Sequence, residues 1–137
     1  MRLVLDGSIT LAWCFRDEAT PAIDALMLSA AREGAIVPGI WRLEVANGLR
    51  SAIRRRRMTE SERDEILAAL RDMEIETDPD TDRFAWTTTQ RLADRHGLTP
   101  YDASYLELAL RMKLPLGSLD NVLCHAARAE AVAVVGR

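Results

Sequence analysis

Four carboxylates, Asp6, Glu44, Asp102 and Asp120, lie far apart along the chain, yet each falls where an apolar run hands over to a helix or where a helix begins. In a parallel α/β fold such handover points share one edge of the sheet, the edge at which ligands bind. Carboxylates gathered there without enough nearby cations repel one another, and a divalent metal such as Mg²⁺ is what usually holds them together. The chemistry they predict is metal-dependent hydrolysis. A helix cap or a favourable helix N-terminus would explain any one of these acids taken singly, but not four on one edge.

The elements that must position them follow from the apolar pattern. Residues 3–5 form a short strand ending at Asp6, with Ser8 as the expected N-cap of a helix through Leu11, Ala12 and Phe15. Pro21 opens a helix that Gly34 closes, and Ala35, Ile36 and Val37 make a second buried strand. A helix from Trp41 to about Met58 carries Glu44, and a Thr59/Glu62 capping box opens the next, through Leu70. Residues 74–77 read as a poor third strand, and one helix is expected from Asp80 or Thr81 to His96, stopped by Gly97. Thr99 and Pro100 start the helix bearing Asp102; 115–119 is a fourth strand leading to Asp120, followed by a helix over 122–130 and a last strand over 132–135. Alternating strands and helices predict an α/β fold, one domain over residues 1–137, with a mainly parallel sheet of about five strands between two helical layers. Ser118 shares its strand side with Asp120, and Asn47 lies one helical turn beyond Glu44, so both are placed to support the acids.

Composition narrows the function classes. With 137 residues, a net charge of -3 and a sequence pI near 5.4, the chain is not a general nucleic-acid coat, although a local basic surface is open to it. Of its 18 basic residues only Lys113 is lysine, so anion contacts would be mostly the forked ones of arginine. Arg50 and Arg54 to Arg57 supply such charge on the helix of Glu44. Four consecutive arginines point four ways; Arg55 is the one expected nearly in line with Glu44, and Arg56 falls towards the stripe of Trp41, Val45, Leu49 and Ile53. RNA phosphate is the expected partner of Arg50, Arg54 and Arg55, with a solvated helix end as the alternative. His96, His125 and Glu107 are expected on the surface or in structural roles, and Asp17, Glu18, Asp24, Asp64, Asp72 and Asp82 as surface charges. Cys14 and Cys124 read as reduced core thiols, and the absence of an export-like leader or a membrane-length apolar run predicts a cytoplasmic protein. The Gly-rich loop of a nucleotide-binding switch is missing, and Lys113 precedes the fourth strand, which excludes a receiver-like arrangement.

The segments that hold these acids, LVLDGSITLAWCF, WRLEVANGL, LTPYDASYLELAL and PLGSLDNVL, occur in the order and spacing of a PIN domain. The chain resembles in particular the VapC-type toxin ribonucleases of toxin–antitoxin pairs, over essentially its whole length. Asp6, Glu44, Asp102 and Asp120 match the family's acids, and Ser8, Asn47 and Ser118 its supporting positions; Gly7 and Ser118 are mild departures. The resemblance implies a PIN-like three-layer α/β/α sandwich and a Mg²⁺- or Mn²⁺-dependent endoribonuclease. Water activated by metal held on the four acids would cleave a structured RNA such as a tRNA or ribosomal RNA loop. It also implies a homodimer restrained by a cognate VapB-type antitoxin. A catalytically silent module of the same fold, binding RNA or protein, is the alternative.

Overall fold

A computed structural model describes residues 2–137. In chain order the elements are β1 (Leu3–Leu5), α1 (Gly7–Cys14), α2 (Pro21–Glu33), β2 (Ala35–Val37), α3 (Trp41–Arg54), α4 (Glu60–Asp72) and β3 (Glu76–Thr77). There follow α5 (Thr81–Phe84), α6 (Thr88–His96), α7 (Pro100–Met112), β4 (Leu116–Gly117), α8 (Asn121–Ala129) and β5 (Val134–Val135). The strands form one five-stranded sheet in the order β3-β2-β1-β4-β5, and every neighbouring pair is parallel.

Successive strand residues point to opposite faces, so the complete burial of Leu3, Val4 and Leu5 means that both faces of β1 are covered. Ala35, Ile36 and Val37 repeat the pattern in β2, whereas both residues of the edge strand β3 are exposed. The chain first builds outward from β1 through β2 to β3, then returns to the other side of β1 with β4. The strand order therefore reverses at β1, and the crevice beyond its carboxyl end is where such sheets bind ligands. Asp6 follows β1 there, and its backbone N–H donates to Gly117 O at 2.9 Å, continuing the pairing with β4.

The α/β class and the five-stranded parallel sheet agree with the sequence pattern, as do the Thr59/Glu62 capping box, the Gly34 and Gly97 stops and the Thr99–Pro100 start. Four boundaries differ. The N-cap of α1 is Asp6, and Ser8 lies inside the first turn with its hydroxyl used elsewhere. Helix α3 ends at Arg54 rather than near Met58: Arg57 N–H donates to Ala52 O, Arg56 N–H to Ile53 O, and Arg56 is left-handed at φ 60°. That is a Schellman closure with arginine in glycine's usual place, and it turns Met58 into the core. The helix expected from Asp80 or Thr81 to His96 is two, α5 and α6, separated by a turn over residues 85–87. The two last strands are two residues each, shorter than expected.

One polar lock joins sheet and helix. Asp78, just past β3, accepts two hydrogen bonds from Arg111 of α7, at 2.6 and 3.1 Å, while Arg111 also donates to Glu107 at 2.8 and 3.0 Å. The guanidinium stacks on Phe84, 4.7 Å from its ring centre. Glu107 is thus a buried structural residue, not a surface one.

Candidate functional site

The four acids converge. A cleft of about 290 Å³ is lined by Asp6, Glu44, Asp102 and Asp120 together with Gly7, Ser8, Leu11, Asn47 and Gly48, and none of these side chains is basic. Asp6 comes from the end of β1, Glu44 from the first turn of α3, Asp102 from the first turn of α7, and Asp120 is the N-cap of α8. Gly48 lets α3 lie close over α1: a Cβ there would meet Leu11 Cδ1 at 2.5 Å. Hollows of about 490 Å³ exist elsewhere; the one between α1 and α4 mixes apolar side chains such as Trp13, Phe15 and Ile66 with charges of both signs, among them the Arg57–Asp17 ion pair at 3.3 Å.

Asp6 is held by hydroxyls. Ser8 Oγ and Ser118 Oγ both donate to its Oδ2, at 2.7 and 2.6 Å. Each hydroxyl in turn accepts a backbone N–H from the loop before α8: Leu119 donates to Ser8 and Asp120 to Ser118, both at 3.1 Å. The amides fix which way the hydroxyl protons point, and the loop that brings Asp120 is tied to the carboxylate of β1. Asp120 caps α8 by accepting from Leu123 N–H at 2.8 Å, and Thr99 caps α7 by accepting from Asp102 N–H at 3.1 Å. The Tyr105 hydroxyl, one turn beyond Asp102, donates to Glu44 Oε1.

The electrostatics are those of an uncompensated acidic pocket. Burial pushes the Asp6 carboxyl above its usual range, and the hydrogen bonds from Ser118 and Ser8 offset only part of that. Glu44 is raised by burial, partly offset by Tyr105, and further by the charges of Asp6 and Asp102. Asp102 is raised by burial and by Asp6 and Asp120. Among the described residues no three acid, histidine or cysteine side chains converge tightly enough to cage an ion unaided. An all-oxygen donor set this spread fits a hydrated ion of the Mg²⁺ kind, which keeps several waters and binds carboxylates partly through them.

The other expected residues divide. Ser8 and Ser118 bind Asp6, and Asn47 lines the cleft at an exposed position. Arg50, Arg54 and Arg55 lie outside it, exposed, and among the described residues none of them pairs with a carboxylate. Arg55 is the C-cap of α3, its N–H still donating to Ser51 O at 3.0 Å, and the chain leaves the helical path at Arg56. Arg56 is exposed rather than laid on the apolar stripe, and Arg57 stacks on Phe15 at 4.3 Å. His96 contacts Glu130 at 2.7 Å, and His125 is exposed. Cys14 is partly buried and Cys124 buried; both are free thiols. The residue missed from sequence is Tyr105. Its spacing of three from Asp102 put it on the cleft side of α7, but its apolar neighbours make it look like core alone.

Two solved structures resemble this one in fold. PAE2754 from Pyrobaculum aerophilum matches with a TM-score of 0.70 and 23% identity, over 98% of this chain and 83% of that one. FitAcB from Neisseria gonorrhoeae matches with a TM-score of 0.65 and 17% identity, over 98% and 96%. No curated protein sequence matches significantly. The family model of the PIN domain matches residues 3–129, nearly the whole chain, and this protein therefore belongs to the PIN domain family.

Proposed function

We propose that this protein is a divalent-metal-dependent endoribonuclease toxin of the VapC type. The observation that carries the nuclease reading is the cleft itself: four carboxylates from four elements, three of them raised by burial and two of those, Glu44 and Asp102, also by neighbouring acids, with no basic side chain among the described lining residues. PIN domains are generally nucleases, which agrees. Asp6, Glu44, Asp102 and Asp120 would hold Mg²⁺ or Mn²⁺, directly or through water. When bound, such an ion lowers the pKa of an attacking water and neutralises charge developing on the phosphate. Ser8 and Ser118 keep Asp6 oriented, and their hydrogen bonds favour its ionised form against the effect of burial, while Asn47 offers an amide at the rim. Arg50, Arg54 and Arg55, exposed on α3 and its C-cap and unpaired among the described residues, suit the phosphates of flanking nucleotides.

The substrate proposed is a structured RNA, a tRNA or ribosomal RNA loop. The toxin role, the homodimer and a VapB-type antitoxin partner rest on the four sequence segments quoted above. A cytoplasmic site of action goes with that reading; no helix among the described residues is long and apolar enough to cross a membrane. A silent RNA- or protein-binding module is favoured by one observation, that among the described residues no three ligand-type side chains form a closed cage. Incubating purified, antitoxin-free protein with RNA separates the two. Cleavage that needs Mg²⁺ or Mn²⁺, stops with chelator and is lost in Asp6→Asn supports the nuclease, whereas RNA binding without cleavage in any divalent ion supports the module.

A further inference from the structure

We infer that Tyr105 is a positioning residue for the metal site proposed above, acting through Glu44. The inference rests on that reading of the cleft and extends it to a residue outside the acidic set. Tyr105 is wholly inaccessible, first by volume among the fully buried side chains. A phenol buried that deeply needs an acceptor for its hydroxyl, and where only packing mattered a phenylalanine would avoid the penalty. The acceptor it has is Glu44 Oε1, a charge-assisted bond between α7 and α3. Gly7 completes the junction: a Cβ built there would lie 3.7 Å from Glu44 Cβ, 3.8 Å from the Tyr105 hydroxyl and 3.9 Å from Glu44 Oε1. The turn that follows Asp6 therefore packs against the same hydrogen bond.

The consequence is that α7 sets two of the four acids. It carries Asp102 itself and, one turn on, the hydroxyl that fixes the rotamer of Glu44 across the cleft. A glutamate pinned only on binding the ion loses its rotamer freedom at that step. Tyr105 meets that loss during folding, so the carboxylate is already in place when an ion arrives. Among the described residues Glu44 Oε2 takes no hydrogen bond from a side chain, and it is the oxygen left for the ion or its water.

Calorimetric Mn²⁺ binding to the purified protein tests this without reference to turnover. Tyr105→Phe keeps the ring and removes only the hydroxyl. It should melt close to wild type, bind Mn²⁺ about 10-fold or more weakly, and cause no further loss in a Glu44→Gln background. Wild-type affinity in Tyr105→Phe, or an equal loss in the Glu44→Gln background, overturns the inference while leaving the metal site standing. A wild-type protein that binds no Mn²⁺ overturns the metal reading and the inference with it, before any variant is made. If Tyr105→Phe does not fold, fluorotyrosine labelling of the otherwise native chain replaces it. The Tyr105 ¹⁹F signal should then move on adding Mg²⁺ in wild type and stay still in Glu44→Gln, and a signal unmoved in wild type overturns the inference.

Discussion

Asp78 and Glu107, both 4% exposed, are buried as deeply as Asp6 at 5%, yet the chain treats the two groups of acids in opposite ways. Around Asp78 a guanidinium fills the space between the carboxylates with four hydrogen bonds. Burial works against the Asp78 carboxylate, but Arg111 and neighbouring donors bring it below its usual range. Around Asp6 the donors are two neutral hydroxyls, the nearest charges are further acids, and the carboxyl is raised. Burial is common to both, so it does not mark a site. Missing counter-charge does, because the folded protein bears a repulsion that a bound cation would relieve.

The sharpest way to break this contrast is to remove an acid from the cleft and the cation from the Asp78–Arg111 lock. Asp6→Asn, or Asp102→Asn, should lower metal-dependent RNA cleavage by roughly a thousandfold, the equivalent of about 4 kcal/mol of transition-state stabilisation. Without metal the melting temperature should hold or rise, since one of the repelling charges has gone. Full activity in a folded Asp6→Asn protein, freed of contaminating nuclease, removes the mechanism. Arg111→Met should do the reverse: a loss of about 3–5 kcal/mol of stability from leaving Asp78 and Glu107 buried and unpaired, with Mn²⁺ affinity unchanged wherever the variant remains folded. Chemical denaturation measures the first and calorimetry the second.

How much of this was open to sequence reading follows from what each feature depends on. The four acids were legible because strand ends and helix starts are local signals, and a parallel sheet turns them into one edge. Thr59, Thr99 and Gly97 were legible for the same reason. The Asp78–Arg111 lock was not, since its partners lie 33 residues apart and meet only because β3 pairs with β2. Nor was the end of α3, where Arg56 takes a left-handed conformation that a sequence argument assigns to glycine. That hidden stop leaves Arg55 as the C-cap and sends Arg56 and Arg57 off the helical path.

Titration offers a milder test of the comparison. A carboxyl whose folded pKa is raised holds its proton more tightly folded than unfolded, so it contributes less and less stability as pH rises from the unfolded value through the folded one. Asp6, Asp102 and Glu44 act this way from their ordinary values of 3.8, 3.8 and 4.5 upward. Asp78 has the opposite sign: its contribution is full above 3.8 and lost as pH falls through its lowered value. Metal-free protein should therefore melt about 2–4 °C higher in mild acid than at neutral pH, then lose stability in stronger acid. Saturating Mn²⁺ should reverse the first trend, since protons then compete with the ion. A melting temperature that falls steadily from neutral pH without metal would mean that the acidic cleft carries no repulsion.

The smallest effect concerns the arginines at the end of α3, Arg54 and Arg55. Arg54 is on the helix, seven residues beyond Asn47, which places it within about 20° of that rim residue and about 10 Å further along the axis. Arg55 is the C-cap, about 16 Å along the axis from Glu44. Neither is paired with an acid among the described residues, so removing either exposes no buried partner and should leave stability within about 0.5 kcal/mol of wild type. If RNA runs from the cleft along α3, Arg54→Ala should weaken binding and reduce the slope of log affinity against log salt by about one, with Mn²⁺ affinity unchanged. Arg55→Ala should change that slope less. Equal slopes for wild type and Arg54→Ala would mean the strand leaves the cleft by another side, and a larger change for Arg55 would mean that it, and not Arg54, meets the phosphates.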